Sequence, residues 1–249
     1  MYRSILCCAA ITASVVSAQT SSTRQWVNNP NAWYMYFGDH PFKEGSKWGL
    51  HAEGQWRRHD LGLNWQQLLL RTGVNYDFSK NVQVTAGYGF INTYRYGEIP
   101  LAAATFPEHR LYQQVLIKQS LGKWNLSHRY RLEERFINER RVPVPGGPSE
   151  FVRWRYENRF RYMFRIARPI KGPWGVAFYD EPFIAFGHNV ASDVFNQNRA
   201  YAAITHTLGK SSRIEIGYMN QAVQQRNGRI FESNHTLQVA VYSNLALRH

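Results

Sequence analysis

Residues 151–166 read Phe-Val-Arg-Trp-Arg-Tyr-Glu-Asn-Arg-Phe-Arg-Tyr-Met-Phe-Arg-Ile, and alternate positions keep one chemical character. Trp154, Tyr156, Phe160, Tyr162, Phe164 and Ile166 share one parity, while Arg153, Arg155, Glu157, Arg159, Arg161 and Arg165 share the other. A helix of 3.6 residues per turn would scatter both sets around its circumference, whereas an extended strand sends them to opposite faces. The stretch is predicted as a strand with one aromatic and one charged face.

The same rule holds on either side of it. Trp48, Leu50, Ala52, Gly54 and Trp56 oppose His51, Glu53, Gln55 and Arg57; Leu68, Leu70, Thr72, Val74, Tyr76 and Phe78 oppose Gln67, Arg71, Asn75 and Asp77. Val82, Val84, Ala86, Tyr88 and Phe90 oppose Gln83, Thr85, Gly87 and Gly89. Leu111, Val115, Ile117 and Leu121 lead through Gly122-Lys123 into Trp124, Leu126, Tyr130, Leu132 and Phe136. Later strands are predicted at 174–186, 200–208, 214–223 and 235–247, and an early one at 33–42, with Pro182 and an alanine-rich run blurring the phase of the eighth and ninth. Short turns at 43–47, 79–81, 122–123, 171–173 and 209–212 alternate with longer connections at 97–107, 140–150, 189–198 and 224–232.

Sorting of connections by length, with strands of about ten residues, is the signature of a transmembrane β-barrel. The expectation is an all-β, antiparallel barrel of about twelve strands, eleven of them visible. Residues 19–31 would supply a weak first strand around Trp26 or a plug. A soluble barrel would have to pack Trp and Tyr inside and expose the arginines. In a lipid-embedded barrel the aromatic face meets hydrocarbon and Arg and Glu line the lumen. No stretch beyond the N-terminus is apolar for the roughly 18 to 20 residues that a helical span needs.

Composition narrows the classes further. Arg3, the apolar run Ile5 to Val16 and Val16-Ser17-Ala18 read as a signal peptide over residues 1–18, leaving 19–249 as one barrel domain destined for a bacterial outer membrane. The only two cysteines, Cys7 and Cys8, lie in that segment, so the mature chain would lack disulfides and thiol chemistry. A formal charge of +13 in a chain of mean hydropathy −0.48 suggests anionic partners. The arginines alternate with aromatics, however, and no nucleic-acid-binding fingerprint accompanies them, so nucleic acid is excluded.

The runs Lys47-Trp48-Gly49-Leu50-His51-Ala52-Glu53-Gly54-Gln55-Trp56-Arg57-Arg58, Tyr130-Arg131-Leu132-Glu133-Glu134-Arg135-Phe136 and Trp154-Arg155-Tyr156-Glu157-Asn158-Arg159-Phe160-Arg161-Tyr162 resemble a family of exported bacterial proteins. That family is known as a domain of unknown function (2490 type) and is regarded as outer-membrane barrels. The resemblance spans nearly all of the mature chain. It implies fold and location, with outer-membrane lipid and the barrel-assembly machinery as partners, and it brings no catalytic residues. The chain departs from many outer-membrane strands in ending Leu247-Arg248-His249 and not on an aromatic.

The densest chemistry is a basic lumen wall of Arg129, Arg131, Arg135, Arg153, Arg155, Arg159, Arg161 and Arg165. Its expected acidic partners are Glu53, Asp77, Glu133, Glu157, Glu181 and Glu215. Guanidinium forks hold carboxylates or phosphates, so the wall either fills the lumen with ion pairs or passes small anionic solutes. A second candidate, on the outer rim, is Ser233 with His235, with Asn220 or Asn234 as orienting groups and His128 beside Ser127, which would suit a lipid hydrolase. A third reading is a barrel whose loops present a surface to partners or for adhesion. His40, His51, His59, His109, His188 and His206 show no metal-ligand spacing, and neither metal nor cofactor is expected. Gly87-Tyr88-Gly89 reads as room for bulky lumen neighbours, not as a phosphate loop.

Overall fold

Eleven strands close into a barrel in a computed structural model that describes residues 24–248. The expected signal segment, with Cys7 and Cys8, lies outside the described residues. The strands are β1 (Gln25–Pro41), β2 (Trp48–His59), β3 (Asn64–Ser79), β4 (Val82–Thr93), β5 (Phe106–Leu121), β6 (Trp124–Arg141), β7 (Glu150–Lys171), β8 (Trp174–Phe186), β9 (Gln197–Thr207), β10 (Ser212–Gln224) and β11 (Ile230–Ser243). Each pairs antiparallel with its sequence neighbour, and β1 pairs with β11 in parallel. An odd number of alternating strands cannot close without one such pair, because the first and last run the same way.

The parallel seam accounts for residues 25–31. They form neither a separate strand nor a plug; they lengthen β1, from Gln25↔Ile230 to Gly38↔Ser243 along β11. Pro30 sits in this stretch without harm. The Gln25 N–H donates to the Arg229 carbonyl (2.9 Å), so odd-numbered residues aim their backbone groups at β11. Even-numbered Pro30 faces the other side, where pairing with β2 starts only at Asn31, and no ladder bond is lost. Pro182, inside β8, lies where the β7–β8 pairing is interrupted between Arg161↔Phe183 and Phe164↔Asp180, with the register the same on both sides.

All five short turns (42–47, 80–81, 122–123, 172–173 and 208–211) lie at one end. The connections 60–63, 94–105, 142–149, 187–196 and 225–229 lie at the other; three of them are long, while 60–63 and 225–229 are no longer than 42–47. Outward residues form an aliphatic belt, with Leu70, Val74, Ile184, Ile204, Ile216 and Leu237 all exposed, between two aromatic rims. Near the longer connections Trp26 stacks on Phe231, and Trp56, Trp65 and Tyr94 follow one another across neighbouring strands. Near the short turns Trp48, Tyr76 and Phe78 make a second run, and Trp174 meets His206 edge-on. No described helix is long and apolar enough to cross a membrane, which says nothing of strands.

The inward parity is not polar throughout. Trp33, Met35, Tyr201, Ala203, Met219 and Ala240 form a buried apolar cluster with Phe37, Tyr179 and Tyr242 against it. Inward apolar residues also make β8 and β9 hard to phase from sequence: Ala177, Phe183, Ala185 and Tyr201 face inward beside equally apolar outward neighbours. Gly73 and Gly87 face each other across β3 and β4, and the Tyr112 ring lies over them. A Cβ on Gly87 would fall 2.2 Å from the Thr72 carbonyl oxygen and 2.7 Å from the Tyr112 hydroxyl. Gly87→Val should therefore prevent recovery of the compact, heat-modifiable form on gels, whereas Gly45→Ala, whose surroundings are open, should lower the unfolding temperature only slightly through its positive φ.

Candidate functional site

The lumen of eleven strands is wider than that of an eight-strand barrel, so only long side chains can bridge it. The alternation of β6 and β7 supplies them as a row of guanidinium groups. Glu133, on β6, is completely buried and is their hub. Arg161 Nη1 donates to it at 2.7 Å and Arg159 Nε at 3.0 Å. Arg71 Nη2 reaches it from β3 at 3.3 Å, and Arg110 Nη1 from β5 stands 3.6 Å away.

Glu181 and Glu53 extend the lattice. Glu181 accepts from Arg129 and Arg161, each at 2.7 Å, and has Arg199 at 3.6 Å. Glu53 binds Arg71 and Gln55, has Arg131 Nη1 at 4.0 Å and stands near His51, whose other ring nitrogen is 2.7 Å from Asp39. Toward the long connections, Arg135 Nε donates to Glu108 at 2.6 Å and its Nη1 to Glu157 at 3.4 Å, with Arg155 and Arg226 also on Glu157. Toward the short turns, Arg165 and Arg213 share Glu215.

Two expected members lie elsewhere. Arg153 stands at the rim, 58 % exposed, and pairs with Glu139. Its strand outruns the barrel wall there. Asp77 is near the short turns and accepts from the Gln83 amide at 3.0 Å, with no arginine beside it among the described residues. Several lattice members escaped the sequence reading. Glu108, Arg110 and Tyr112 occupy the inward parity of β5, opposite the apolar parity by which that strand is recognised in the sequence. Arg71, Arg57 and Arg199 alternate correctly on their strands, but nothing in one strand's pattern shows which partner faces it across a lumen.

The lattice fills the middle of the barrel. A water-filled passage would wet the residues that line it, yet Trp33, Leu69, Tyr112, Arg131, Glu133, Glu181, Phe183, Met219 and Gln238 are at most 2 % exposed. Those nine come from seven different strands spread around the barrel, so the seal goes round the circumference. Above it, on the side of the longer connections, lies a chamber of about 390 Å³. Eight arginines (57, 110, 135, 155, 159, 161, 199 and 226) line it against three carboxylates (Glu108, Glu157 and Asp193). Its mouth is narrowed by Gln225 donating to the Ile99 carbonyl (3.0 Å) and Tyr96 donating to Glu232 (3.1 Å). Burial and the Glu232 charge hold the Tyr96 hydroxyl well above its ordinary pKa.

On the outer face, Ser233 Oγ is 3.4 Å from His235 Nε2, Asn220 Nδ2 donates to the serine at 3.0 Å, and His235 Nδ1 lies 2.6 Å from the Tyr218 hydroxyl. Asn234 cannot orient that histidine, since it points into the lumen and bonds Asn29. Ser127 and His128, being consecutive on β6, point to opposite faces, and His128 pairs with Tyr162 (2.8 Å). Tyr36 with His40 and Tyr88 with His109 repeat the same pairing. Four Tyr–His pairs across the outer surface mark a rim motif, to which Ser233 happens to be adjacent. Among the described residues no group of three or more His, Cys, Asp or Glu is placed to hold a metal.

A model of the family described as "Protein of unknown function (DUF2490)" matches residues 30–232, from β1 into β11. The chain belongs to the DUF2490 family. No curated protein sequence matches this DUF2490 barrel. Among solved structures it is similar to one titled "NanC porin structure in rhombohedral crystal form", with 12 % identity and a TM-score of 0.45 over 82 % of this chain and 92 % of that one. It is also similar to an "Anion-selective porin from Comamonas acidovorans", with 9 % identity and a TM-score of 0.34 over 78 % and 55 % of the two chains.

Removing Glu133 alone leaves four guanidinium groups facing one another in a dry interior. Glu133→Gln should cost about 3–5 kcal/mol of stability, read as a lowered denaturant midpoint in detergent. The triple change Glu133→Leu, Arg159→Met, Arg161→Met should lie closer to the unsubstituted chain. Arg71 and Arg110 then keep Glu53 and Glu108, and no buried charge is left alone.

Proposed function

We propose that this chain is an outer-membrane β-barrel without enzymatic activity, closed at mid-height by its ion-pair lattice and holding small anionic solutes in the basic chamber above it. The observation that carries the reading is the chamber's wall of eight arginines against three carboxylates of its own; seven of these arginines reach a carboxylate within 4.0 Å, some of them in the lattice, and Arg57 reaches none among the described residues. Walls of low dielectric concentrate the field of such a cluster, and guanidinium forks suit carboxylate and phosphate. The apolar belt between aromatic rims supports placement in a bilayer, because Trp48 and Trp56, eight residues apart on tilted β2, span about 20 Å. Short turns then face the periplasm and the chamber opens outward. Lipid surrounds the belt, and the barrel-assembly machinery inserts the chain. Passage of a solute beyond the chamber requires the lattice to part.

The rim hydrolase reading is weaker. Ser233 lies in a strand paired on both sides, so the backbone N–H groups near it are committed to the ladders and leave no backbone oxyanion site. Phospholipid incubated with the purified barrel should release no fatty acid.

Purified barrel in detergent should bind sulfate with an affinity that falls as salt rises, measured by calorimetry, and should carry no sustained current in a planar bilayer. Arg57→Gln with Arg226→Gln should weaken sulfate binding about tenfold or more while heat-modifiable migration is kept. Absence of sulfate binding to the folded barrel would overturn the anion reading, and steady current from the unsubstituted chain would overturn the closed lumen.

A further inference from the structure

The chamber treats its two kinds of polar group unequally. Arg57 is 7 % exposed and has no carboxylate within 4.0 Å among the described residues. It donates to Gln55 (2.9 Å) and Gln67 (2.6 Å) and lies 3.8 Å from the centre of the Trp33 ring. Arg199 approaches the same ring at 5.2 Å and has its carboxylate, Glu181, no nearer than 3.6 Å. A buried guanidinium without a counter-charge is strongly destabilising, so this corner of the chamber calls for an anion. The β8–β9 connection presents the opposite need. Asp193 Oδ1 and Asn196 Oδ1 are buried acceptors with no partner among the described residues, on side chains 7 % and 8 % exposed, and both residues line the chamber. An acceptor left dry and unpaired costs free energy that a donor restores.

One ligand meets both demands only if it carries charge and donors together. Resting on the anion reading of the chamber, we propose that its ligand is a small hydroxylated organic anion, the charge seated on Arg57 and Arg199 and the hydroxyl groups donating to Asp193 and Asn196. Inorganic sulfate and chloride satisfy the arginines but offer no donor. A neutral polyol offers donors but no charge. A volume of about 390 Å³ lies at the small end of ligand-pocket sizes, which suits a molecule of this kind and not a polymer.

Calorimetry on the full chain in detergent, with propionate, gluconate and sorbitol as probes, separates these demands. Gluconate should bind at least about tenfold more tightly than propionate, as two hydrogen bonds to buried acceptors imply, and sorbitol more weakly than either. Asp193→Ala with Asn196→Ala should erase the preference for gluconate, so that the two acids bind alike, and should not weaken propionate, since the change also removes a negative charge from the chamber. Arg57→Gln should weaken both acids. Heat-modifiable migration of each variant verifies folding. Equal affinity for gluconate and propionate in the unsubstituted chain overturns the hydroxylated ligand while the anion reading stands, provided sulfate still binds. Failure of sulfate, propionate and gluconate alike overturns both. Gluconate affinity insensitive to Arg57→Gln overturns the proposed seat of the charge.

Discussion

Burial of ionic side chains in the middle of a barrel is the constraint on which the rest of this structure turns. Glu133 has no exposure, and four guanidinium groups from β3, β5 and β7 converge on it. Such a charge persists in a dry interior only when its partners are close and hydrogen-bonded. The partners must come from across the lumen as well as from the neighbouring strand, which ties the far walls together. Glu53 and Glu181 do the same toward either side. The backbone ladder closes the barrel, and the carboxylates determine what its interior can be.

From this the division of the lumen follows. Where acids and arginines are matched, side chains interlock and water is excluded. Toward the short turns the filling becomes mixed, with Tyr, Met and Ala around Met219 and Tyr201 beside the Arg165–Glu215–Arg213 group. Toward the long connections the acids run out before the arginines do, the packing opens, and a basic chamber remains. The same residue type thus stands in two settings: Arg161 is a structural cross-brace with Glu133 and Glu181, whereas Arg57 donates to glutamines beside an indole and has no carboxylate within 4.0 Å among the described residues.

The outer surface obeys a simpler rule. Tyr88, Tyr162 and Tyr218 pair with histidines across strands and Tyr36 with His40 along β1, each of these four histidines finding a hydroxyl instead of remaining unpaired beside apolar neighbours. That recurrence bears on the Ser233–His235 contact: a strand brings residues i and i+2 to one face by geometry alone, so their proximity needs no catalytic explanation.

Alternation in segments such as Phe151–Ile166 sufficed to read the strands, their two faces, the sorting of connections and the inward direction of Arg155, Arg159 and Arg161, because a period of two is a local property of extended chain. It failed for β8 and β9, where Ala177, Phe183 and Ala185 make both faces apolar, and for residues 25–31, whose polar character hid the fact that they extend β1. What lies opposite what is a different matter. That Glu133 meets Arg71, that β1 closes on β11 in parallel and that, among the described residues, Asp77 meets no arginine and Arg57 no carboxylate all depend on register, strand number and lumen width. These are set only when eleven strands close together, since charges that meet across a barrel are separated by tens of residues along the chain and carry no local signature of one another.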